Sequence, residues 1–64
     1  MWLLQRQRTA GAYLIVDKFS SRKKAVAALA EIAAQKPNYP YNGEDKWQDS
    51  NDSHHVNRYR IIKL

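Results

Sequence analysis

One segment of this sequence has the pattern of an α-helix, and its position divides the rest of the chain. The segment SSRKKAVAALAEIAAQKP begins with serines that can cap a helix and ends at Pro37, which cannot continue one. Alanine, the best helix former, dominates the segment. Apolar residues recur at three- and four-residue spacing and form one stripe, which we expect to face the core: Ala25, Val26, Leu29, Ile32 and Ala33. We therefore predict one helix over residues 21–36.

Strand-forming runs stand on both sides of this segment. WLLQRQR and AYLIVDKF precede the helix and VNRYRIIKL follows it, and all three are rich in aliphatic, β-branched or aromatic residues. They predict strands over residues 2–8, 12–19 and 56–64. Thr9-Ala10-Gly11 separates the first two strands and suits a hairpin in which Gly11 takes the left-handed conformation.

Residues 37–55 contain two prolines, an Asn-Gly pair and many small polar residues, which predicts a long loop. The expected fold is thus a single α+β domain over residues 1–64 with the layout β-β-α-β. Its three-stranded sheet is antiparallel in the order 2-1-3, with the helix on one face. The alternative places the last strand beside the second, parallel to it, with a right-handed crossover.

The pairing of the first and last strands decides where four arginines lie. If residue 4 stands opposite residue 62, Arg6 faces Arg60 and Arg8 faces Arg58, all on one side of the sheet. Like charges directly opposite each other destabilise a sheet, so this arrangement predicts a surface that holds phosphates or carboxylates. The alternative is that the arginines splay into water. We expect the helix on the other side, with Tyr13, Ile15 and Ile61.

Both faces of this predicted sheet are apolar over part of their length, and one helix covers only one of them. The 37–55 loop, a second copy of the chain in a homodimer, or a partner must cover the other.

The charge is unevenly distributed. The net charge is +5, but residues 37–55 carry four acidic residues against Lys46, a net −3, and the remainder carries +8. A basic body favours anionic partners. The chain has no cysteine, which excludes disulfides and thiolate metal sites and favours a cytoplasmic location. The apolar start, MWLL, is too short for a signal peptide or a membrane span, so we expect no membrane partner.

The start of the predicted helix is the second basic feature. Arg22, Lys23 and Lys24 occupy its first turn, where cations oppose the helix dipole at a cost of about 0.3–1 kcal/mol each. Free amides, the serine hydroxyls and these cations converge there and form a candidate anion site. The alternative is that the three side chains point to water. If this site adjoins the arginine surface, Tyr13, Trp47 or Tyr59 could stack on bases.

The stretch DSNDSHH, residues 49–55, holds the best candidates for chemistry. Asp49, Asp52, His54 and His55 offer metal-binding groups, but their spacing matches no known metal loop, and we expect a solvated loop with no metal or cofactor. A histidine with Arg58, Tyr59 and Arg60 could in principle cleave RNA, as in a small ribonuclease toxin. We expect the chain not to be an enzyme.

The hairpin, the FSSRKKAVAALAEI helix and the terminal YRIIKL strand resemble the small proteins that phages encode. In length and order of elements the chain is similar to the RNA-polymerase inhibitors of T7-like phages. The resemblance covers organisation only, and no residue motif matches. It implies a compact protein that docks on a larger host machine, a class that includes small anti-CRISPR proteins.

The sequence therefore predicts a small, basic, non-enzymatic binding protein. The preferred prediction is a phage-type inhibitor that docks on an acidic surface of host transcription or defence machinery. The alternatives are a non-specific DNA- or RNA-binding protein and the ribonuclease toxin. The predicted contact residues are those of the two basic features: Arg6, Arg8, Arg22, Lys23, Lys24, Arg58 and Arg60.

Overall fold

A computed structural model describes residues 1–64 and contains one helix and one sheet. The elements are β1 (Trp2–Arg8), β2 (Leu14–Phe19), α1 (Arg22–Ala33), β3 (Lys46–Gln48) and β4 (Asn57–Lys63). All neighbouring strands are antiparallel, in the order β2-β1-β4-β3. The predicted α+β class with one helix and an antiparallel sheet is confirmed. The predicted number of three strands is wrong, because β3 forms inside the segment expected to be a loop.

Strand β3 exists because its central residue is an anchor. Trp47 is buried, its indole N–H donates to the carbonyl oxygen of Tyr39, and its ring packs on Tyr59 with centroids 5.7 Å apart. Tyr39 and Tyr41 pack against the same core. The 37–45 segment therefore covers the helix side of the sheet, and not the opposite face as one of the expectations had it.

The helix begins at the predicted serine cap. Ser21 has an extended backbone, and its hydroxyl oxygen accepts from the Lys24 amide at 3.2 Å. Its last residue is Ala33, three residues before the predicted end, and turns lead from there towards Pro37. The helix has 12 residues and is not long and apolar enough to cross a membrane.

The core lies between the helix and one face of the sheet. Small side chains let the helix approach closely, and larger ones from three strands fill the space: Leu4, Ala25, Leu29, Ala33, Trp47, Tyr59 and Ile61. None of the buried residues is polar or charged. Packing of this kind is the main source of stability in so short a chain.

The register of β1 and β4 differs from the predicted one by one residue. Leu4 stands opposite Ile61, and not opposite Ile62. The main chain fixes this register at both ends, where the Leu64 amide donates to Met1 at 2.9 Å and the Thr9 amide donates to Val56 at 2.7 Å. Because side chains alternate between faces, a shift of one residue moves every side chain of β4 to the face opposite the predicted one.

We expected Tyr13, Ile15 and Ile61 on the face that the helix covers. This is correct for Ile61 and wrong for Tyr13 and Ile15. Ile61 packs under the helix, whereas Ile15 pairs with Gln5 and lies on the uncovered face. Tyr13 lies against Arg60 on that face.

The turn between β1 and β2 also differs from the prediction. Thr9, and not Gly11, has a positive φ, of 49°. Its amide donates to Val56 and its hydroxyl donates to the carbonyl oxygen of His54 at 3.2 Å. Contacts with the segment before β4 thus hold a β-branched residue in a conformation that such residues rarely adopt.

Candidate anion-binding surface

The sheet face opposite the helix is uncovered, and we call it the open face. By strand alternation and pairing it carries eleven residues: Leu3, Gln5, Gln7, Tyr13, Ile15, Lys18, Lys46, Gln48, Arg58, Arg60 and Ile62. Four of them are cations and none is a carboxylate. Leu3 is buried and the side chains around it are polar or partly exposed. The open face is thus a basic surface with a small apolar area at one end.

Arg60 lies at the centre of the open face and is held from two sides. Its Nε donates to the Gln5 side-chain oxygen at 2.7 Å, and its guanidinium carbon lies 3.7 Å from the centre of the Tyr13 ring. A guanidinium over the face of an aromatic ring is a favourable cation–π arrangement. Gln5 takes one of the five N–H donors of Arg60, so the group keeps donors for an anionic ligand while its position is fixed.

Arg58 is held by the turn between β1 and β2, in which Thr9 has a positive φ. Its Nη1 donates to the carbonyl oxygen of Thr9 at 2.7 Å. Thr9 is the residue with positive φ, and its own bonds to Val56 and His54 fix it in place. Backbone strain of this kind persists only where the surroundings enforce it, and it is concentrated at functional sites.

A depression of about 320 Å³ lies on the open face between Tyr13 and strand β3. Tyr13, Lys46, Gln48 and Arg58 line it, together with Trp47 and Tyr59, whose side chains point to the core. The volume is at the lower end of the range for ligand pockets, about 300–1,000 Å³. An aromatic ring, an amide and two cations therefore surround a space large enough for a small planar group.

Lys46 and Arg60 stand directly opposite each other in β3 and β4. No hydrogen bond or ion pair joins either of them to a carboxylate. Like charges in this position destabilise a sheet. The like-charge pair predicted between β1 and β4 is absent, since Gln5 and Gln7 face Arg60 and Arg58 there. The electrostatic repulsion between neighbouring cations therefore destabilises the pairing of β3 with β4.

The predicted surface of four arginines is wrong, because the one-residue shift separates it into two pairs. Arg58 and Arg60 lie on the open face, whereas Arg6 and Arg8 lie on the helix side, beyond the end that the helix covers. Arg6 and Arg8 line a separate cleft of about 230 Å³, together with Gly11, Ala12 and Leu14. Neither side chain makes a hydrogen bond or an ion pair within the protein.

The cations at the helix start are partly engaged in the fold. Arg22 pairs with Asp45 at 2.6 Å and donates to the Gly43 carbonyl oxygen at 3.0 Å, which ties the helix to the loop before β3. Lys24 donates to the hydroxyl of Ser20, and Lys23 is exposed.

This helix start follows Phe19, which pairs with Trp2 at the far end of the sheet from Arg8 and Arg58. The helix start and the Arg58 end of the open face therefore do not form one contiguous surface.

The three candidate aromatic residues have different environments. Trp47 and Tyr59 are each 8% exposed and pack on each other in the core. Tyr13 is half-buried and lies at the surface beside the depression. Tyr13 is therefore the aromatic side chain through which a ligand can be contacted.

The polar residues of the stretch 49–55 organise the loop before β4. Asp49 accepts from the amide and the side chain of Asn57, both at 2.8 Å, and Asp52 accepts from the His54 amide at 2.9 Å. His54 and His55 are exposed. No group of three or more His, Asp or Glu side chains is arranged to hold a metal ion. The set proposed for RNA cleavage is divided, since Tyr59 points to the core and Arg58 to the open face.

Sequence reasoning did not single out the open-face residues between and beside the arginines. Gln5 and Gln7 were missed because the predicted register placed them on the face of the sheet opposite to Arg58 and Arg60. Lys46 and Gln48 were missed because they lie in the segment predicted as loop. The pattern Lys46-Trp47-Gln48, polar on both sides of one large aromatic, was the available signal for a short strand.

Searches against protein-family models, curated proteins and solved structures gave no significant match.

Proposed function

We propose that this chain is a non-enzymatic binding protein whose open face engages single-stranded nucleic acid with little sequence preference. The observation that carries the proposal is the Tyr13–Arg60 stack beside Lys46 and Arg58, on a surface without carboxylates. Non-specific single-strand binders combine cations that track the phosphates with aromatic rings on which bases stack. Both components are present here within one depression.

The chemistry of the remaining side chains supports the same class of ligand. Gln5, Gln7 and Gln48 each make one side-chain hydrogen bond within the protein, with Arg60, Gly11 and Ser50 respectively. Each amide keeps a further donor and an acceptor lone pair, which suits the mixed donors and acceptors of exposed base edges. Arg58 and Arg60 keep donors for phosphate oxygens after their bonds within the protein. An exposed base is available to Tyr13 in a single strand, whereas it is stacked and paired in a duplex.

A protein partner is the second candidate, in line with a phage-type inhibitor that occupies an acidic surface of a larger complex. Arg6 and Arg8 favour it, because both lack a partner within the protein and lie away from the open face. In this version the two faces of the sheet have different ligands.

The test of the open-face proposal is a titration of a fluorescently labelled, mixed-sequence single strand, read by anisotropy at several salt concentrations. If all four open-face cations contact phosphates, the slope of log K against log salt is about −2.8, since each contact contributes about 0.7. We expect single strands to bind more tightly than the matched duplex, because Tyr13 can stack only on an unpaired base.

The matched variants remove equal charge from different surfaces. The triple variant Lys46→Gln, Arg58→Gln, Arg60→Gln changes the open face, and Lys23→Gln, Lys24→Gln, Lys36→Gln changes the helix and its end. We expect the first to weaken binding at least about tenfold and to lower the slope by about 2, and the second to have a much smaller effect. Equal losses in both variants, or no binding by the unaltered chain, contradict the proposal. Circular dichroism checks that both variants are folded.

A further inference from the structure

The edge strand β2 exposes apolar side chains that nothing in the protein covers. It is the first strand in the order β2-β1-β4-β3, so one of its sides has no neighbouring strand. Leu14, Ile15 and Val16 are 67%, 52% and 44% exposed. Edge strands commonly carry charges or are covered, because their unpaired amides and carbonyls can pair with another chain.

The two halves of β2 differ in how this edge is protected. In the second half, the Asp17 carboxylate accepts from the Lys18 amide at 2.7 Å and so satisfies it. Residues 14–16 carry no charge, and no side chain bonds to their main chain. Their one irregularity is a bulge at Val16, between the pairs of Leu4 and Gln5. The first half of the strand is thus apolar, and its main chain is unprotected by charged side chains or side-chain bonds.

The cleft of Arg6 and Arg8 adjoins this unprotected half. Arg6 pairs directly with Leu14, and Leu14 itself lines the cleft. Strands lie about 4.8 Å apart, so a strand added beside β2 would stand about 10 Å from β1. An extended arginine and a glutamate side chain can span that distance together across Leu14.

We infer that β2 and this cleft form a second binding site, which takes an extended acidic peptide segment of a partner protein as a fifth strand. Its main chain pairs with residues 14–16. Its apolar side chains lie on one face, beside Ile15, and its carboxylates lie on the other face, beside Leu14, where they meet Arg6 and Arg8. Strand addition of this kind is a recurrent mode of peptide recognition. The inference goes beyond the nucleic-acid proposal, because it concerns the other face and the sheet edge.

Charge decides between this occupant and a second copy of the chain. A copy pairing through its own β2 offers one carboxylate, Asp17, which already bonds to its own backbone, and brings in Lys18 as well. Two unpaired arginines are therefore poorly matched by another β2. A peptide with two or more acidic residues matches them.

The probe is a seven-residue peptide of alternating Val and Glu with blocked ends, added to the ¹⁵N-labelled chain and followed by NMR. We expect the largest shifts in the amides of Leu14, Ile15 and Val16 and slower exchange of those that gain a partner. The variant Arg6→Gln, Arg8→Gln should weaken binding about tenfold, and the variant Lys23→Gln, Lys24→Gln, with the same charge change, should leave it within about twofold.

Two further peptides keep the test valid even where a variant folds poorly. Lys in place of Glu tests the charge, and N-methylation of alternate residues blocks main-chain pairing while keeping the side chains; both changes should abolish binding. Binding of the Lys peptide, shifts on the open face in place of β2, or self-association through β2 at the same concentration would overturn the inference. The last outcome identifies a second copy as the occupant. Failure here leaves the single-strand titration unaffected, since that titration uses other side chains.

Discussion

The guanidinium carbon of Arg60 lies 3.7 Å from the centre of the Tyr13 ring, although the two residues are far apart in the sequence. Arg60 is in β4 and Tyr13 precedes β2, so the contact reaches across β1, where Gln5 accepts from the same side chain. Three parts of the chain thus fix one cation on the open face. This arrangement has consequences for binding that single substitutions can measure.

Substitution of Tyr13 tests the stacking surface. Tyr13→Phe keeps the ring and should bind single-stranded nucleic acid nearly as well as the unaltered chain. Tyr13→Ala should lose about 1–3 kcal/mol of binding free energy, the usual contribution of one base stacked on an aromatic ring. Fluorescence anisotropy at fixed salt measures both. Leu14→Ala, an exposed apolar residue in the neighbouring strand, is the control. If Tyr13→Ala binds normally, the ring does not contact a base.

Substitution of Lys46 should change stability and binding in opposite directions. Lys46→Gln removes a like-charge contact with Arg60, so we expect the free energy of unfolding to rise by about 0.2–1 kcal/mol. The same change removes one phosphate contact and should lower the salt slope of single-strand binding by about 0.7. Urea unfolding and the anisotropy titration give the two values. Lys36→Gln, another exposed lysine, is the control and should change neither by as much. A less stable, normally binding variant would contradict the role given to Lys46.

Thr9 is predicted to carry strain that a matched pair of variants can measure. Thr9→Val removes the hydroxyl bond to His54 but keeps a β-branched side chain, whereas Thr9→Gly removes both the bond and the strain. Because the left-handed conformation is unfavourable for residues with a Cβ atom, we expect the glycine variant to be about 1 kcal/mol more stable than the valine variant. Chemical unfolding measures the difference. Equal stability would mean that the positive φ carries no cost.

Tyr41 should make stability sensitive to alkaline pH. Burial raises the pKa of Tyr41, and Asp45 and Glu44 act in the same direction, although nearby Arg22 lowers it. A group whose pKa is higher in the folded state contributes stability that is complete below its unfolded pKa of 10.0 and is lost as the pH rises through the folded pKa. The free energy of unfolding should therefore fall above about pH 10.

Tyr41→Phe separates this titration from other alkaline effects. At neutral pH the variant should be less stable by about 1 kcal/mol, because it lacks the hydrogen bond from the phenol to the Glu44 carbonyl oxygen. As the pH rises, the difference between the two proteins should shrink, since only the unaltered chain has the phenol to titrate. A constant difference over that range would show that Tyr41 does not titrate in this way.

The fold class could be predicted from local signals, because each of them acts over a few residues. Ser21 caps the helix and Pro37 follows it, and the apolar runs before and after it form strands. Strand β3 could not be predicted in this way, since three residues carry little periodicity. Its anchor, Trp47, is stabilised by Tyr59 and Tyr39, and only the folded chain brings these together.

The candidate site was harder to predict, because it depends on register. Pairing Leu4 with Ile61 or with Ile62 brings two aliphatic residues together in either case, so the hydrophobic pattern alone does not choose between them. The choice is made by long-range contacts, notably those of Tyr59 and Ile61 with the helix and Trp47. Arg58 lies on the open face, but its neighbours are Gln7 and Gln48 and not Arg8.

The most direct test of the central claim is to map the contact surface by ¹H–¹⁵N NMR during a titration with a short mixed-sequence single strand. The account predicts the largest shifts in the side-chain amides of Gln5, Gln7 and Gln48 and in the guanidinium Nε–H groups of Arg58 and Arg60, with small shifts at Lys23 and Lys24. Shifts centred on the start of the helix, or none at any site on the sheet, would contradict it.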